Sequence, residues 1–97
     1  MSVEYRTWTS IADLPFDDEA AWLPLTRQIE QSHPELGPVV TWDDTALVVI
    51  LADDQPDPAA AAEQAAKIIN DALRTSSLGN RVPKVFQVEA ANAVAAA

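Results

Sequence analysis

The chain contains no cysteine. That removes disulfides, thiolate metal sites and cysteine nucleophiles together, and it is compatible with any redox compartment. Glycine is almost as scarce, with only Gly37 and Gly79 present. A P-loop, a dinucleotide fingerprint and the nucleophile elbow of the hydrolases each need glycines at set spacings that two such distant residues do not provide. No apolar run exceeds the seven residues from Ala46 to Ala52, against the ~20 that a helix needs to cross a bilayer. The opening residues Met1-Ser2-Val3-Glu4-Tyr5-Arg6 have neither the basic nor the apolar region of a secretory signal, so a cytoplasmic location is expected. Basic residues are few: 6 Lys and Arg stand against 15 Asp and Glu, a net charge of −9. Nucleic-acid binding depends on a positive footprint that displaces counterions from phosphates, and an anionic membrane repels the same surface. Neither partner is expected.

What is present describes a shape better than a chemistry. Ninety-seven residues, 48% of them apolar, suit one domain with a modest core. The order is expected from about residue 3 to 89, with Ala90 to Ala97 a loose or partly helical tail. Val3 to Ile11 is rich in β-branched and aromatic residues and predicts a first strand, β1. Asp13 to Asp18 then supplies turn and capping residues ahead of a helix, α1, that runs to about Ser32. Trp22, Leu25 and Ile29 share one face of it, and Pro24 predicts a kink or a late start.

Pro38 to Trp42 predicts a short strand, β2, and Asp43-Asp44-Thr45 a tight hairpin turn into β3, Ala46 to Ala52. This last strand is apolar on both alternations, as a central strand covered on both sides would be. Asp57 before Pro58 is the sharpest local signal, a cap followed by a proline at the first helical position. Helix α2 should run from Pro58 to about Thr75 with Ala62, Ala65, Ile69, Ala72 and Leu73 inward, and Val82 to Glu89 should form β4.

Two βαβ crossovers joined by a hairpin are satisfied by one antiparallel sheet in the order 4-1-3-2 with both helices on one face. This α+β arrangement resembles the ferredoxin-like βαββαβ sandwich. One face of such a sheet is left open, and its occupant is the functional question. Trp8 shares an alternation with Glu4 and Arg6, which are too polar for a helix-covered core, so Trp8 and Arg6 are assigned to the open face. Trp42 and Val40, on the neighbouring hairpin, are expected to join them as interface residues, together with one of the two apolar rows of β3, Leu47/Val49/Leu51 or Val48/Ile50.

Catalytic parts are not evident. His33, the one histidine, precedes Pro34 at a helix end, where a solvated residue near the helix dipole is the ordinary outcome. Its neighbour Ser32 does not make a triad by adjacency alone. The fold places Asp13, Asp17, Asp18, Asp43 and Asp44 at one end with Arg74 and Arg81. The other end takes Asp53, Asp54 and Asp57 with His33 and Glu35. Asp is the usual residue of caps and turns, and neither group has the spacing of a calcium loop. No metal or cofactor is expected.

The reading that follows is a small acidic, non-enzymatic protein whose open sheet face pairs with a second copy or with another protein. A cofactor-free binder or enzyme of the dimeric α+β barrel type is the first alternative, with His33, Trp8, Trp42 and Tyr5 as pocket candidates. An acidic mimic of nucleic acid that blocks a basic protein is the second. A βαββαβ amino-acid sensor is disfavoured, because the segment Asp13 to Asp18 lacks glycine.

Overall fold

The computed structural model describes residues 3–14, 17–43, 46–76 and 81–90. The chain is α+β: a four-stranded antiparallel sheet carries two helices. Its elements are β1 (Val3–Ile11), α1 (Glu19–Ser32), a single 3-10 turn (Pro34–Leu36), β2 (Val39–Asp43), β3 (Ala46–Gln55), α2 (Pro58–Arg74) and β4 (Lys84–Ala90). Hydrogen-bonded neighbours run β2-β3-β1-β4, which is 4-1-3-2 from the other edge. The two longest strands are central, and the shorter β2 and β4 are edges. Four expectations lie outside the described residues: the Asp44-Thr45 turn, the Pro15-Phe16 part of the first junction, Gly79-Asn80, and the tail from residue 91.

Alternation along β1 shows which face the helices cover. Tyr5, Thr7, Thr9 and Ile11 are buried, while Val3 is exposed at the strand start. On β3 the matching row is Leu47, Val49 and Leu51, all at most 2% exposed. Against these rows pack Leu25 and Ile29 of α1 and Ala65, Ile68, Ile69, Ala72 and Leu73 of α2. The inward stripe of α2 is thus Ala61, Ala65, Ile68, Ile69, Ala72 and Leu73, with Ala61 and Ile68 buried and the expected Ala62 only half-buried. The small residues of this stripe let the helix lie close to the sheet.

Both helix starts are acidic, but only one is capped. The Asp57 carboxylate accepts from the Ala60 N–H at 2.8 Å, and Pro58 follows as expected. Asp18 makes no side-chain cap. Pro24 sits inside α1, where it removes the hydrogen bond to the Ala20 carbonyl. The Thr26 hydroxyl bonds to the Trp22 carbonyl at 3.0 Å in the same turn. At the other end the last turn of α1 (Gln28, Ser32, His33) and the final third of α2 (Asp71, Ala72, Thr75) line one cleft of about 120 Å³. An antiparallel pair in register would set the last turn of α1 beside the first turn of α2. The helices here instead converge at their C-terminal halves.

Gly37 closes the 3-10 turn at φ 56° and ψ 51°, in the left-handed region, and leads into β2. A Cβ built there meets nothing within 4 Å, so sterics with neighbours do not matter. Gly37→Ala is expected to lower stability by about 1 kcal/mol through backbone strain alone, with the fold retained. Urea unfolding of the two proteins checks this, and an unchanged midpoint would refute it.

Candidate functional site

The face of the sheet away from the two helices follows from the pairing register. Trp8 lies opposite Ile50 on β3 and Gln87 on β4, and Ile50 lies opposite Val39 on β2. Paired residues point to the same side, so Gln87, Trp8, Ile50 and Val39 form one row across the whole sheet. Two residues further toward the Ile11 end lie Lys84, Ser10, Val48 and Thr41. Two residues toward the Val3 end lie Glu89, Arg6 and Ala52, and then Glu4 and Asp54. The centre of this face is apolar and its margins are charged.

Burial grades across it. Val48, on a central strand, is 3% exposed, while Val39 on the edge is 55% exposed. Trp8 and Ile50 are half-buried, so each keeps part of its apolar surface in contact with solvent. Arg6, Trp8, Gly37, Val39, Ile50 and Ala52 border a shallow depression of about 280 Å³. On β4 the register shifts between Trp8 and Thr9, and the extra residue of that bulge, Phe86, is 49% exposed at the sheet edge.

Two of the four expected interface residues are elsewhere. Trp42 pairs with Leu47 and Val40 with Val49, so both point to the helix side and pack against the core. Trp42 meets Trp22 of α1 edge to face, ring centroids 4.7 Å apart at 71°. The correction has a simple cause. Trp8 and Trp42 reach β3 at positions 50 and 47, an odd separation, and odd separations on a strand point to opposite faces. Trp8 and Arg6 are on the open face as expected. One of the two apolar rows of β3 was expected there, and the register shows it to be Val48 and Ile50. The residues that sequence reasoning missed are Val39, Lys84, Gln87 and Glu89.

The catalytic candidates do not assemble. His33 caps α1, its N–H bonding to the Ile29 carbonyl, and its Nδ1 is 3.5 Å from Glu35 Oε1. The neighbouring Ser32 hydroxyl accepts from Gln28 Nε2 at 3.3 Å. Asp71 borders the same cleft, but the bonds of Ser32 and His33 go to Gln28 and Glu35, so no Ser-His-Asp relay is formed. Tyr5 is buried on the helix side, away from Trp8.

The acidic ends are also resolved into local roles. Asp13, at φ 62°, takes the Arg81 guanidinium at 3.3 Å, and the same nitrogen reaches the Ala12 carbonyl at 3.4 Å. This joins the end of β1 to the approach to β4. Glu4, Glu35, Asp53 and Asp54 surround a shallow hollow at the other end. Among the described residues no group of three or more His, Asp or Glu side chains is placed to hold a metal ion. Nor, among the described residues, is any helix long and apolar enough to cross a membrane. Comparison of the chain with protein families, with curated proteins and with solved structures finds no match.

Proposed function

We propose that this protein is an interaction module of ferredoxin-like arrangement, working in the cytoplasm through the open face of its sheet. The observation that carries the reading is the row Trp8, Ile50 and Val39, apolar side chains that run across the sheet face turned away from both helices. Contiguous apolar surface of several hundred Å² on a small protein marks a contact surface more often than not. The strand order and antiparallel pairing support the ferredoxin-like arrangement; the convergence of the helix C-termini is a departure from its usual helix pair.

The test is absolute mass by light scattering behind size exclusion, over a wide range of concentration. Self-pairing gives twice the 10.5 kDa of the chain. Trp8→Glu is expected to return the protein to a single-chain mass, because a carboxylate in the middle of the contact would lose its water without a partner. A single-chain mass for the unsubstituted protein at every concentration overturns self-pairing.

The depression beside Trp8 supports a second reading, a small-molecule binder or cofactor-free enzyme of the dimeric α+β barrel type. Of the pocket candidates named from sequence, only Trp8 borders it, with Arg6 supplying a cation at its rim. Binding of small hydrophobic carboxylates, read as a thermal shift, would favour this alternative over a contact filled by side chains.

A further inference from the structure

We infer that the occupant of the open face is a second copy of this chain, stacked about a two-fold axis that lies along the row Gln87-Trp8-Ile50-Val39. The inference rests on the reading of that face as a contact surface, and it adds the partner and the geometry. Three observations lead to it.

The first is symmetry in the register. Lys84 pairs with Ser10 and Glu89 pairs with Arg6, so the two charges lie two β1 residues to either side of Trp8 on the same edge strand. A two-fold axis along the row exchanges those sides. Lys84 of one copy then faces Glu89 of the other, and the reverse contact forms at the second symmetric place. Trp8 and Ile50 meet their own equivalents at the centre.

The second is charge. The chain carries −9, which opposes the association of two copies. The central three rows of the open face do not share that imbalance, since Arg6 and Lys84 stand there against Glu89 alone, while Glu4, Asp43 and Asp54 lie toward the strand ends. Within a single copy Glu89 accepts from Gln87 Nε2 at 2.9 Å, and among the described residues neither Arg6 nor Lys84 has an ion-pair partner. The cations of the face are therefore available to a second copy.

The third is area. The four strands, at about 3.3 Å per residue and 4.8 Å between strands, present roughly 500 Å² per copy, or about 1,000 Å² for a pair. Because β2 lies wholly on one side of the axis, the overlap is smaller than this maximum, and the contact falls in the small, weak class of interface.

Charge exchange tests the arrangement, with dimer dissociation constants measured by sedimentation at about 0.1 M salt. Lys84→Glu alone and Glu89→Lys alone are each expected to weaken the homodimer about tenfold or more, because each places like charges face to face twice. The double variant should recover to within about threefold of the unsubstituted protein, and an equimolar mixture of the two single variants should form heterodimers in preference to either homodimer. Circular dichroism of each variant confirms folding, as both side chains are exposed. If the protein dimerises and Trp8→Glu abolishes pairing, but the charge exchange has no effect in the singles or the mixture, the two-fold geometry is overturned and the contact-surface reading stands. If the unsubstituted protein is a monomer throughout, the second copy is excluded as the occupant.

Discussion

Leu51→Ala is expected to cost about 2–5 kcal/mol, the range for deleting a fully buried leucine without collapse of the cavity it leaves. Leu51 is 2% exposed in the central strand β3 and belongs to the cluster that both helices cover. A domain of this size has about 5–15 kcal/mol in total, so the loss is a large share of it. The melting temperature should fall by roughly 10 °C or more. The informative comparison is Ile50→Ala, one residue away on the other face. Ile50 is only half-buried in the single chain, so its truncation should cost well under half as much there and should act mainly on self-association. Chemical denaturation at low concentration, together with solution mass, separates the two effects. Equal losses at the two positions would mean that the open face is covered within one chain.

Thr9→Val is expected to stabilise the protein, an unusual sign for a core substitution. Thr9 is 0% exposed on β1, and its Oγ1 is buried with no hydrogen-bond partner among the described residues. A hydroxyl in that position keeps its desolvation penalty, about 1–3 kcal/mol, with nothing to offset it. Valine has nearly the same shape and retains the β-branch that suits a strand. A gain of about 1–2 kcal/mol and a rise of roughly 5 °C or more in melting temperature follow. Thr7 is the control. It is 2% exposed on the same face, but its hydroxyl reaches the Leu51 carbonyl at 3.5 Å, so Thr7→Val should change little. A lower melting temperature for Thr9→Val would show that its hydroxyl has a partner in solution.

Local signals were legible wherever one short segment decides the outcome. The bounds of β1 agree with its β-branched and aromatic run, and the Asp57-Pro58 cap starts α2 where expected. The polar end of β3 was not legible. Asp53 and Asp54 suggest a turn by residue type, yet they continue the strand because Tyr5 and Glu4 pair with them. Their conformation depends on a partner about fifty residues away, which propensity does not contain. The late start of β4 at Lys84 has no such account in the structure.

Composition and short-range pattern were thus enough to determine an acidic α+β chain with one sheet and two helices, and Trp8 and Arg6 on a polar alternation. Only the tertiary structure decided which way Trp42 and Val40 face, and how the last turn of α1 meets α2. The reason lies in β3. A strand apolar on both alternations satisfies either register of the β2 hairpin equally well in sequence, and a shift of one residue sends every side chain of β2 to the opposite face. The pairing of Asp43 with Ala46 settles that register, and with it the contents of the open face.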